Sequence, residues 1–163
     1  RPRVHPRPGR GFPDCDISIA HTADIGVAIA RPRPPDTPPD TPGLGIDVVE
    51  ITQHPADIVV STLSEPERRL LDAVAGDGDR GVWLARWWAA KQATAKAEGA
   101  GPAGDPRRFT VIAATPEQLT VDAGGRTYRI AHREVSNPED LPARRYVVGW
   151  TWGPQATPRV DPR

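Results

Sequence analysis

The sequence holds no methionine, one cysteine and only two lysines. Each shortage excludes something. The single Cys15 cannot close an intrachain disulfide or build a cysteine-rich zinc site. Such usage fits a reducing, cytoplasmic setting. Charge of one sign is missing too: 21 basic residues balance 21 acidic ones. The chain as a whole therefore offers no field for nucleic acid or a membrane surface. No apolar run approaches the roughly 18 residues of a membrane span, and no signal peptide opens the chain. Apolar residues are scarce at 37% and prolines number 20, so part of the chain must be loop or disordered. The 163 residues of the chain still suffice for one domain, or two small halves, with a real core. An opening Arg1 and the lack of any methionine read as a fragment, cut from a longer polypeptide or missing its natural start.

What is there follows a clear order. Residues 1–11 are Pro- and Arg-rich without an apolar period, and read as a flexible segment. Two short apolar runs, Ile17–Ala20 and Ile25–Ala30, flank His21-Thr22-Ala23-Asp24 in a strand, turn, strand pattern. Residues 31–43 form a Pro-rich loop that can hold neither a helix nor a central strand. Leu44 to Ile51 is a strand with Gly45, Asp47 and Val49 on one face. Ser64-Glu65-Pro66-Glu67 has capping-box spacing and predicts a helix to Ala75, stopped by Gly76. Asp79 caps a second, longer helix over Arg80 to Glu98, stopped by Gly99. Strands are predicted over 109–114, 118–122, 126–131 and 146–152, with Gly124-Gly125 turning between the second and third of these. Residues 153–163 read as a tail. The expectation is an α+β domain over 12–152, an antiparallel sheet packed against a long helix.

Most sites of known chemistry are absent. There is no phosphate-binding loop, no dinucleotide fingerprint and no Gly-x-Ser-x-Gly elbow. The four histidines lack metal-ligand spacing. Two features remain. One is Asp47, an acid on an otherwise apolar strand. The other is a helix face on which Trp88, Gln92 and Lys96 stand at i, i+4 and i+8, with Lys91 about 100° away. A strand acid beside helix lysines suits a magnesium-bridged phosphate, because Mg²⁺ takes few protein oxygens and lysine supplies a point charge. A solvated helix face is the competing reading of the lysines.

Three blocks in order resemble the 4′-phosphopantetheinyl transferase superfamily, of which the holo-acyl-carrier-protein synthases are members. Ser18-Ile19-Ala20-His21-Thr22 is similar to that family's Ser-x-Ser-His-Ser block, and Gly45-Ile46-Asp47 to its Gly-Ile-Asp block. Trp88-Ala89-Ala90-Lys91-Gln92-Ala93-Thr94-Ala95-Lys96 is similar to its Trp-x-x-Lys-Glu-x-x-x-Lys block. The resemblance implies transfer of phosphopantetheine from coenzyme A to a serine of an acyl or peptidyl carrier protein, with Mg²⁺. It implies that Asp47 and the residue at 92 hold the metal. His21 and Arg10 would contact coenzyme A, and Lys96 and Lys91 its pyrophosphate. Asp47, Gln92 and Lys96 would then be the catalytic set.

The departures bear on activity. Gln92 stands where the family has a glutamate, and an amide can neither carry charge nor accept a proton at neutral pH. Glu50 lies on the strand face opposite Asp47, so the site is expected to hold a single carboxylate. The segment before His21 is too short for the N-terminal half of the two-half members, so a neighbouring domain or second copy would complete the pocket. Three readings stay open. One is an active transferase. The second is a weakened or inactive transferase-like domain that binds carrier protein or coenzyme A within a polyketide or peptide synthase. The third is a purely structural dimerising module.

Overall fold

The computed structural model describes residues 3–4, 9, 11, 13–22, 24–52, 57–101 and 105–155. Its strands are β1 (Arg3–Val4), β2 (Cys15–Thr22), β3 (Ile25–Pro32), β4 (Gly45–Glu50), β5 (Thr110–Ala114), β6 (Gln118–Asp122), β7 (Thr127–Ser136) and β8 (Arg145–Thr151). The helices are α1 (Asp57–Ser61), α2 (Glu65–Ala75) and α3 (Arg80–Glu98), with a 3-10 turn at Pro106–Arg108. The strands form two antiparallel sheets, in the orders β1-β2-β3 and β4-β8-β7-β6-β5. The expected α+β architecture, with an antiparallel sheet on a long helix, is the one observed. Within 1–11, the pair Arg3–Val4 adds a short strand beside β2, and helix α1 had no signal in the sequence.

Local chemistry explains where the helices begin and end. Ser64 accepts a hydrogen bond from the Glu67 N–H while the Glu67 side chain accepts one from the Ser64 N–H, so α2 starts with a closed capping box. Asp79 accepts from the Val82 N–H to start α3, and Gly99 ends it in the left-handed region.

Helix α3 is the axis of the molecule. Twelve of its 19 residues are buried, on several sides. One side faces the five-stranded sheet through Ala89, Ala93 and Ala97, which recur every fourth residue. The sheet meets them with glycine. A Cβ on Gly45 would lie 1.9 Å from the Ala93 carbonyl oxygen, and one on Gly149 would lie 3.1 Å from the Ala89 Cβ. Strand and helix backbones are therefore in direct contact at Gly45, which explains why that position carries no side chain. The helix also packs with α2 and with strands β5 to β7 of the same sheet around Trp87, Leu71, Leu119 and Tyr128. The three-stranded sheet covers the other face of β4 and β8, where Ala20, Ile46, Val48, Tyr146 and Val148 form a second core. Strand β4 is thus covered on both faces, by helix and by sheet.

Candidate functional site

The site sits at the outer edge of β4. That strand is last in its sheet, with β8 on one side only. Its free edge is met by β2: the Ser18 hydroxyl accepts a hydrogen bond from the Ile46 N–H at 3.1 Å. The serine of the first sequence block therefore acts as a stitch between the two sheets, a role that the motif alone did not reveal.

Lys96 reaches this edge from α3. Its ammonium lies 2.8 Å from Asp47 Oδ1, 2.9 Å from the Ile46 carbonyl oxygen and 3.2 Å from the Ile19 carbonyl oxygen. The three acceptors use all three donors of a lysine. The geometry follows from the glycine contact. Gly45 brings β4 against α3 at Ala93; Asp47 is two residues further along the same strand face, and Lys96 is one helical turn beyond Gln92. Both side chains remain partly open to solvent, 20% for Lys96 and 15% for Asp47. Burial pushes the Asp47 carboxyl above its ordinary 3.8, against the opposing pull of Lys96 and of the Val48 N–H.

The other candidates fall at different places. Gln92 is half-buried one turn before Lys96, with Trp88 one turn earlier again, so the helix face expected from their spacing is present. The Gln92 amide makes no hydrogen bond among the described residues. His21 is exposed on β2, two residues from Ile19, on the strand face opposite the buried Asp16, Ser18 and Ala20. Arg10 lies outside the described residues. Glu50 points away from Asp47, as strand alternation requires, and sits 3.8 Å from Arg144. Among the described residues, no group of three or more His, Cys, Asp or Glu converges as metal ligands would.

Lys91 has a different partner from the one that the family resemblance implies. It stands two residues, or about 200°, from Ala93 and so faces away from the sheet edge. Its ammonium is 2.7 Å from Glu67 Oε1, with both side chains only 1% exposed. The carbonyl oxygens of Thr62 and Pro106 also accept from it, at 3.4 and 3.3 Å. Glu67 in turn accepts from the Ser64 N–H and hydroxyl and from the Val111 N–H. Burial pulls the Lys91 ammonium below its ordinary value, and the Glu67 carboxylate pulls it back. The pair ties α2, α3 and β5 together. Nothing in sequence spacing signals it, because Glu67 and Lys91 belong to separate helices and were legible only as a cap and as half of a motif.

Residues 43–151 match the family model of the 4′-phosphopantetheinyl transferase superfamily. The chain belongs to this superfamily. The matched span contains Asp47, Lys91, Gln92 and Lys96 and begins after β2 and β3, so His21 lies outside it. The crystal structure of Thermotoga maritima holo-[acyl-carrier-protein] synthase is similar at 18% identity with a TM-score of 0.47. The similarity covers 68% of this chain and 63% of that one, so the chain spans less than two thirds of that protein. No curated protein matches the sequence. No described helix is long and apolar enough to cross a membrane. At the edge of β4 the chain brings together one carboxylate and one lysine, with the Gln92 amide one helical turn before that lysine.

Proposed function

We propose that the chain transfers 4′-phosphopantetheine from coenzyme A to a serine hydroxyl of an acyl or peptidyl carrier protein. Family membership supports the reaction class. The observation that carries the reading to particular residues is the Asp47–Lys96 pair at the open edge of β4. Lys96 is a mobile point charge suited to a diphosphate oxygen. His21, about two strand residues from the Ile19 carbonyl, is close enough to meet another phosphate of the same coenzyme. Arg10 is assigned to the nucleotide end on the resemblance alone. Lys91 is assigned no coenzyme contact, because its charge is already matched inside the protein.

In the reaction, the serine oxygen attacks the phosphorus that carries pantetheine. The bond from that phosphorus to the bridging oxygen breaks, and adenosine 3′,5′-bisphosphate leaves. The serine proton passes to water or to a substrate phosphate, since Gln92 cannot accept it. The magnesium that the family implies suits the donors present. Asp47 offers one hard carboxylate oxygen, and Gln92 an amide oxygen. Mg²⁺ commonly takes one or two protein carboxylates and completes its shell with water and phosphate. When bound, it would neutralise charge on the diphosphate.

The test is mass spectrometry of an apo carrier protein incubated with the chain, coenzyme A and Mg²⁺. A gain of one phosphopantetheine that EDTA prevents is expected. Coenzyme A binding without any gain, across several carriers, supports the second reading instead: a module that binds without turnover. Gln92 is the observation that favours it. Gln92→Glu then separates the two, since restoring the acid should raise Mg²⁺ affinity and any turnover; no change would place Gln92 away from the metal.

A further inference from the structure

We propose that the Lys96 ammonium and a divalent cation are alternative occupants of one oxygen site, so that this chain takes up metal only when the coenzyme's diphosphate draws Lys96 away. Only the diphosphate half of this inference rests on the proposed function.

Three oxygens from three positions converge on the Lys96 ammonium: Asp47 Oδ1, the Ile46 carbonyl and the Ile19 carbonyl. Carboxylate and carbonyl oxygens are the ligands that hard divalent cations take. In this state a built-in ammonium holds them. The local charge is already balanced, one carboxylate against one ammonium. The neighbours of Asp47 on its strand face, Gly45 and Val49, add no charge, and Gln92 adds none from the helix. A dication approaching Asp47 would meet a cation already seated there, with no second acid to offset the repulsion.

Coenzyme A changes that balance. Its diphosphate offers Lys96 a stronger anionic partner and offers the metal additional hard oxygens. A four-carbon stem lets the ammonium move from one partner to the other without moving α3. The vacated oxygens then become ligands. In a member with a glutamate at the Gln92 position, extra charge would soften this competition. Here the exchange is obligatory.

The test uses Mn²⁺ as the probe and the full chain without coenzyme, counting free Mn²⁺ by electron paramagnetic resonance. Lys96→Met should bind one Mn²⁺ about tenfold or more tightly than the wild type, the change expected when a partly buried competing charge is removed. Adding Asp47→Asn should abolish the gain. Equal affinity in the wild type and Lys96→Met would overturn the proposal, as would a gain that survives Asp47→Asn.

Lys96 also ties β2 to β4, so the wild type supplies a second measurement in case the variant does not fold. The chain has two lysines, and ¹⁵N labelling of lysine gives one ammonium resonance for each. Mg²⁺ alone should leave both unchanged. Mg²⁺ with coenzyme A should shift Lys96 and leave the enclosed Lys91 as an internal control. A Lys96 signal that moves with Mg²⁺ alone, or stays put while coenzyme A binds, would overturn the proposal. Failure of coenzyme A to bind at all sinks the proposed function instead, and leaves the Mn²⁺ comparison to decide the competition by itself.

Discussion

Helix α3 carries two lysine–carboxylate pairs that look alike in sequence and differ in surroundings. Lys91–Glu67 is sealed, with each side chain 1% exposed. Lys96–Asp47 lies at a sheet edge and reaches solvent. In the sealed pair every acceptor on Glu67 is engaged by the protein, so neither charge is free to meet a ligand. In the open pair the lysine holds backbone oxygens that a ligand can take over. A motif spacing places both lysines on one helix; helical rotation then turns one into the core and the other to the sheet edge.

Breaking the sealed pair should have the largest effect on stability. Glu67→Gln leaves Lys91 buried without its counter-charge and should cost about 3–5 kcal/mol in urea denaturation. Removing both charges, Glu67→Gln with Lys91→Met, should cost clearly less than the single change, because the amide oxygen can still accept from Ser64 or Val111. The reverse order would mean that the pair is not enclosed in solution. Next in size is Gly45→Ala, whose added methyl overlaps the Ala93 carbonyl oxygen. It should destabilise by about 1–3 kcal/mol and also displace Lys96 from Asp47. A variant as stable as the wild type would deny the close contact.

Lys96→Ala sharpens the contrast on the open side. Coenzyme A affinity should fall about tenfold or more by calorimetry, as expected for loss of one charge-assisted contact. Unchanged affinity would remove the diphosphate role. The smallest effect is the pH dependence of Asp47. Its carboxyl is raised in the folded chain, so the fold holds that proton more tightly than the unfolded chain does. The contribution of Asp47 to stability is therefore fully present below about 3.8 and is lost as pH rises through the folded value. Thermal melts of the wild type relative to Asp47→Asn should decline across that interval. Metal uptake has the opposite sign, because it needs the carboxylate. It should fade on acidification at a higher pH than an ordinary carboxylate would give.

Much of the fold was legible because its signals are local. The capping box at Ser64, the Asp79 cap and the stop at Gly99 set helix limits that the structure reproduces. Strand alternation placed Asp47 toward α3 and Glu50 away from it. What was not legible depends on packing between distant segments. Lys91 shares a motif with Lys96, and only α2 and β5 closing over it reveal its pairing with Glu67. Ser18, Ile19 and Ile46 contribute through a hydroxyl and two carbonyls, and backbone groups leave no residue-type signal. Helix α1 is five residues long, too short to display a period.

The bare Gly45–Ala93 contact has a mechanical consequence. Most active-site distances are set through side chains, which flex about their rotamers. Here the strand bearing Asp47 and the helix bearing Lys96 rest main chain on main chain, like two machined faces clamped without a gasket. The spacing between the two backbones is fixed by the part of the polypeptide with the least play, and the long lysine arm is left to adjust at the edge.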